Sequence, residues 1–277
     1  MLEQSTFNNC SAIAECGSLT FDCQQGGQFV QERTCYFSSV ARADQAFGQA
    51  VTHSASYKNY ALEVSVSKCG ESETKMEYTF GIGMGDLIIS SINSTNNICS
   101  RYSSIGCSLD GNSGICNFST FRGNNQSESY SLEFYINSNE GTNDDILTHT
   151  VSYCNIIENK CRTDDNQVLF YCKFTTNVDH CIFLNNTAKY MFYEYSKGYT
   201  LTISNSYVDD KSIREVEDEF EGGSVSFTNE KENYDLAYIS NFNGEDCYVN
   251  PKDITDKIPY LFKFAKCASP QLLSSKY

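Results

Sequence analysis

The sequence predicts an all-β chain wound as a right-handed parallel β-helix, a solenoid with irregular corner loops. The first observation behind this is a loose internal repeat. Ser119-Thr120-Phe121-Arg122-Gly123-Asn124, Cys154-Asn155-Ile156-Ile157-Glu158-Asn159, Cys181-Ile182-Phe183-Leu184-Asn185-Asn186 and Asn205-Ser206-Tyr207-Val208-Asp209-Asp210 align. Each gives a small or polar residue, a bulky apolar one two places on, and Asn or Asp three further. The apolar members Phe121, Ile156, Phe183 and Tyr207 lie 35, 27 and 24 residues apart and are expected to form one core stack. A period in the twenties, built from short strand-like runs, matches one β-helix coil. The second observation is composition: β-branched and aromatic residues fall in short runs separated by Asn, Gly, Ser and Asp, which is strand-and-turn chemistry. The third is that 277 residues carry only 3 prolines, as long regular backbone requires.

Along residues 1–250, taken as coils with inserted loops, further elements fit. Cys35-Tyr36-Phe37 is a weaker copy of the repeat. Ala61 to Ser67, Tyr199 to Ser204 and Ser224 to Thr228 alternate as strands do. The repeat's Asn residues fall at turns, where Asn tolerates the left-handed conformation, and stacked Asn side chains can bond from coil to coil. Residues 209–223 are acidic without a β pattern and read as a solvated corner loop or short helix. Residues 251–277, with Pro251, Pro259 and Pro270, break the repeat and read as a terminal cap or tail. The rival fold is a β-sandwich. Its hairpin turns have candidates at Asp110-Gly111 and Asn243-Gly244, but neither lies between two clear alternating strands.

Charge narrows the function classes. With 20 basic and 35 acidic side chains the net charge is −15, so phosphate backbones are repelled and nucleic acid is a poor partner. The 40% hydrophobic content excludes a disordered chain. Fourteen cysteines indicate disulfides in an oxidising compartment, or buried thiols stacked in a solenoid interior. Neither a signal peptide nor a membrane-spanning stretch of about 20 apolar residues is visible.

Residues 151–210 resemble a large group of surface-type repeat proteins from trichomonad parasites, which look like degenerate β-helices of the pectin-lyase-like class. The likeness is carried by the phrases Cys154 to Cys161, Phe183 to Glu194 and Leu201 to Asp210. Gln25-Gly26-Gly27-Gln28-Phe29 looks like an eroded Gly-Gly strand start of the same group. The resemblance implies the β-helix fold and an extracellular or cell-surface setting.

No catalytic, cofactor-binding or metal-ligating set emerges. Enzymes of this fold class resembling polygalacturonases carry paired aspartates, His-Gly and Arg-x-Lys. Here the aspartate pairs are Asp144-Asp145, Asp164-Asp165 and Asp209-Asp210, while His53, His149 and His180 lack a following Gly. Adjacent aspartates point to opposite sides of a strand, whereas glycoside hydrolysis needs two carboxyls roughly 5–10 Å apart. His180, Cys181, Cys172 and Cys161 lack zinc spacing, and an acidic calcium site has no signature here. Gly81-Ile82-Gly83-Met84-Gly85 precedes strand-like Asp86 to Ser90 rather than a helix, so it reads as a kink or close packing, not a phosphate loop. The aromatic run Lys189 to Tyr195 offers an interaction patch of Tyr190, Tyr193 and Tyr195, against core packing as the alternative. Sequons at Asn9, Asn93, Asn117, Asn125 and Asn185 are about as many as chance supplies in so Asn-, Ser- and Thr-rich a chain. The leading expectation is a non-enzymatic structural or adhesive surface module whose partner is a carbohydrate or a host-surface protein. A polysaccharide lyase or hydrolase of the same fold is the alternative, and a degraded gene fragment a third. A smooth Ser/Asn-covered face favours the module; a groove with convergent carboxylates and a cation favours the enzyme.

Overall fold

In the computed structural model residues 1–234 are described, apart from 13–16, 24–26, 42–44, 52–56, 71–77, 101–103, 110–113, 127–129, 137–147, 162–166 and 216–221. The expected 251–277 cap, Asp144-Asp145, Asp164-Asp165 and His53 lie outside the described residues. Among the described residues there is no helix. The strands form three long sheets of nine, eight and seven strands and two short two-stranded pieces. The first sheet runs from Leu2–Glu3 to Ser224–Thr228, the second from Thr6–Asn8 to Tyr207–Val208, and the third from Leu19–Cys23 to Tyr190–Glu194. The chain visits the sheets in rotation and each strand pairs in parallel with its counterpart one coil on, giving a right-handed parallel β-helix.

Sharp corners make the winding possible. Between the first and second sheets one residue per coil turns left-handed, including Glu63 (φ 52°), Phe118 (φ 49°), Tyr153 (φ 54°) and His180 (φ 52°). For a residue with a Cβ this conformation costs about 1–2 kcal/mol. Coil-to-coil hydrogen bonds offset that cost, since the corner N–H groups of Phe118, Tyr153 and His180 donate to Ser152, Asp179 and Ser204 carbonyls at 3.0–3.2 Å. Ala61 to Ser67 is therefore two strands, Lys58–Leu62 and Ser65–Ser67, broken at Glu63. The glycine run behaves as expected: the strand Tyr78–Gly83 ends in a turn at Met84 (φ 67°) and Gly85 (φ 77°), and Asp86–Ser90 follows as a strand.

The interior is built of columns. Phe121 aligns with Ile156 and Ile156 with Phe183, all fully buried. Upstream the same column holds Phe7, Tyr36, Val66 and Ser94. Its next member after Phe183 is Val208; Tyr207 sits beside Ile182 and packs in a tilted contact on Tyr234 at 4.8 Å. The expected stack thus holds for three positions and slips by one at the fourth. The cause is the corner: Asn205 takes the left-handed turn, and Ser206 is the inward small residue, its Oγ accepting the Cys181 N–H at 2.9 Å.

At the corner after the second sheet, Asn97, Asn124, Asn159 and Asn186 form a ladder inside the solenoid, 27, 35 and 27 residues apart. The Oδ1 of Asn124, Asn159 and Asn186 each accepts the backbone N–H and Nδ2 of the Asn one coil earlier, Asn97 Oδ1 accepts the Cys69 N–H, and each Nδ2 also reaches a main-chain carbonyl. The left-handed residue is the one before: Gly123, Glu158 or Asn185. Asn therefore serves the corner in both ways, Asn97, Asn124, Asn159 and Asn186 by bonding inward and Asn96 (φ 54°) and Asn185 (φ 54°) by adopting the left-handed backbone. Both cysteine readings occur together. Cys35 is disulfide-bonded, while Cys69, Cys116, Cys154, Cys161, Cys172 and Cys181 are buried thiols.

Candidate interaction surface

The first sheet's outer face is set by strand alternation. Ala61, Ile89, Cys116, Val151, Val178 and Ile203 point into the core, so their neighbours point out. One outward column reads Val30, Tyr60, Ile88, Ile115, then Thr150, Asn177, Thr202, Ser226, in register throughout. A second outward column, over the last four strands, reads Ser152, Asp179, Ser204, Thr228. Thr200 and Ser224 extend the same polar face. Along the first column the N-terminal half is thus apolar and the C-terminal half polar, while the second column runs Glu32, Leu62, Ser90 and Asn117 before reaching Ser152. Hydroxyls on the C-terminal polar grid bond along the columns: Thr200 with Ser224 at 3.2 Å, and Ser226 to Thr202 at 3.4 Å.

The grid's one carboxylate among the described residues of these columns is Asp179, and it is already engaged. It accepts from Ser204 Oγ at 2.6 Å and Asn205 Nδ2 at 2.8 Å, and its other oxygen lies 2.6 Å from His180 Nδ1. Partial burial works to raise its pKa, but these hydrogen bonds outweigh burial and hold it below the ordinary carboxylate value. Ser, His and Asp meet here in an order unsuited to nucleophilic catalysis. That chemistry needs the hydroxyl on the imidazole and the imidazole on the carboxylate; here hydroxyl and imidazole both bind the carboxylate.

Along the corner bordering this grid, three rings stack from coil to coil. Phe118 lies 5.3 Å from Tyr153 and Tyr153 lies 5.0 Å from His180, with planes 12° and 20° apart. Phe118 and Tyr153 remain 44% and 41% exposed. Their faces cover one another, so the ring edges meet solvent and the stack stiffens the corner more than it offers a platform. No feature of the four-segment repeat marks these positions. The signal is the residue just before each small inward one, readable only once the corner conformation is known.

Tyr190, Tyr193 and Tyr195 do gather on the third sheet, outside the main core. Met191 and Phe192 both join the core, leaving Tyr190 and Tyr193 in a separate cluster with Val168, Tyr171 and Tyr130. Tyr130 stacks on Tyr171 at 3.9 Å, and Tyr171 lies 5.6 Å from Tyr193 and 6.2 Å from Tyr195. Lys173 and Arg214 sit over the Tyr195 and Tyr193 rings at 5.4 and 4.8 Å. Tyr193 is only 3% exposed and belongs to a packed outer cluster; Tyr195, at 37%, is the accessible member. Tyr130 and Tyr171, which the sequence reading does not include, complete the group.

The zinc candidates separate, because Cys181 faces the core while His180 stands on the exposed corner. Among the described residues no three His, Cys, Asp or Glu side chains are arranged to hold a metal ion. Asp209 and Asp210 are exposed at a corner. His149 is fully buried against Phe134 at 4.5 Å; burial pushes its pKa down to about 3, so it packs as a neutral ring. Among the described residues no helix is long and apolar enough to cross a membrane. No protein-family model, curated protein or solved structure matches this chain.

Proposed function

We propose that the protein is a non-enzymatic structural or adhesive surface module of the pectin-lyase-like β-helix class, contacting its partner through the C-terminal half of the first sheet's outer face. The observation that carries this reading is the in-register grid of Thr150, Asn177, Thr202 and Ser226 beside Ser152, Asp179, Ser204 and Thr228. A flat, repeated set of small polar groups supports many weak contacts whose sum gives avidity, which suits a carbohydrate or host-surface protein better than one small substrate. The resemblance of residues 151–210 to trichomonad surface repeat proteins supports the same reading and an extracellular or cell-surface setting.

The test exposes the purified chain to a panel of immobilised polysaccharides and to intact animal cells, while soluble sugar products are measured. Retention on at least one surface with no product released is expected. Release of reducing or unsaturated sugar ends supports a polysaccharide-active enzyme instead, and failure to bind every surface removes the adhesive reading.

A further inference from the structure

At the C-terminal end of the third sheet a carboxyl group is closed inside the solenoid. Glu194, the last residue of the strand Tyr190–Glu194, is 1% exposed. Its Oε1 accepts the Ser196 N–H at 3.0 Å and its Oε2 lies 3.0 Å from Cys172 Sγ. The lid over it is Gly223, whose N–H donates to the Glu194 carbonyl at 3.0 Å. A Cβ built on Gly223 would stand 2.2 Å from Glu194 Cγ, 2.5 Å from the Tyr199 carbonyl oxygen and 2.8 Å from that of Ser196, so only glycine closes so tightly. Gly222 before it turns at φ 105°, and Ser224 after it begins the first sheet's last strand.

We propose that Glu194 is a proton-operated latch that fastens the strand Ser224–Thr228 onto the end of the solenoid. In the protonated form every group has a partner. The carboxyl O–H donates to Cys172 Sγ, and the thiol turns to the Tyr193 carbonyl, 3.7 Å away. Ionised, the same carboxylate has only one thiol and one amide N–H as donors among the described residues, and a buried charge so poorly supported is costly. Lifting Gly223, which packs directly on the Glu194 side chain, admits water to it. Gly223 leads directly into the last strand, so lifting it loosens Ser224–Thr228 and bares the edge of Thr200–Ser204. Burial, opposed by the Cys172 and Ser196 hydrogen bonds, pushes the carboxyl up to about 7, in line with this geometry.

The charged and titratable groups around the latch are few. The strand Val168–Cys172 contributes the Cys172 thiol, the 196–199 loop carries Lys197 and Tyr199, and the segment paired at Phe192 carries Arg214 and Glu215. Gly222 and Gly223 contribute none, and the acidic residues 217–219 and 221 lie outside the described residues. The sign follows from linkage. A carboxyl held above its free value makes the closed state most favourable in acid, and this advantage is lost as pH rises from about 4.5 to about 7, then levels off.

Hydrogen exchange of the full chain, corrected for intrinsic rates, reads the latch at the amides of residues 224–228. Protection there is expected to fall up to about tenfold per pH unit between about 4.5 and 7 and to flatten above, while amides of Asn155–Ile157 stay constant. Glu194→Gln should remove the slope, and Gly223→Ala should abolish protection of 224–228 at every pH without unfolding the earlier coils. A flat profile in the unaltered protein overturns the latch whatever the variants do, and so does an unchanged slope in Glu194→Gln.

Discussion

The two halves of the first sheet's outer face share one backbone and differ in chemistry along one column. Val30, Tyr60, Ile88 and Ile115 occupy the same column as Thr150, Asn177, Thr202 and Ser226, in unbroken register. Behind both halves runs one interior of stacked apolar residues with buried Phe80 on one side and Phe183 on the other. The solenoid therefore constrains what points in and leaves open what points out. A change of chemistry along an otherwise unchanged column is where function is most readily sought.

The comparison predicts first that the interior does not distinguish the halves. Phe80→Ala and Phe183→Ala should each cost about 3–5 kcal/mol in urea unfolding. A loss confined to one half would mean that the core is not continuous. The Asn ladder comes next. Asn124→Ala leaves the Asn97 N–H without its Asn124 Oδ1 acceptor and the Ser94 carbonyl without its Asn124 Nδ2 donor, so a loss of about 1–3 kcal/mol is expected.

His149 sharpens the contrast through pH. Its pKa is held near 3 against an ordinary 6.5, so the folded state resists protonation that the unfolded chain accepts. Stability should therefore fall progressively as pH drops below about 6.5, and His149→Phe should flatten that acid limb in thermal melts. The corner rings give the smallest stability effect. Tyr153→Ala should cost about 0.5–1.5 kcal/mol of stacking. Tyr153→Gly should cost less, because it also relieves about 1 kcal/mol of left-handed strain.

How much of this is legible in the sequence follows from which side of the sheet a residue faces. Phe121, Ile156 and Phe183 can be read because a core column tolerates little besides bulky apolar groups at a recurring spacing. The slip from Val208 to Tyr207 arose where two bulky residues are adjacent and either Asn205 or Ser206 looks like the small corner residue. Only the corner conformation separates them. Phe118 and Tyr153 were invisible because large aromatics are the last residues expected at a left-handed turn. Coil-to-coil bonding and stacking override that preference. The polar grid was missed as a surface because Thr150, Asn177, Thr202 and Ser226 are individually unremarked and acquire meaning only through register. Tyr193 belongs to the expected tyrosine cluster but is covered within it, since neighbouring tyrosines that lie far off in sequence bury it.

The most direct test of the polar half as the contact surface compares Thr202→Arg with Ile88→Arg. Both are outward substitutions in one column, expected to change stability by no more than about 0.5 kcal/mol. The measurement is retention of each variant on whichever polysaccharide or cell surface holds the unaltered chain. Thr202→Arg is expected to lose most of that retention while Ile88→Arg keeps it. Equal retention by the two, or loss only in Ile88→Arg, would contradict it.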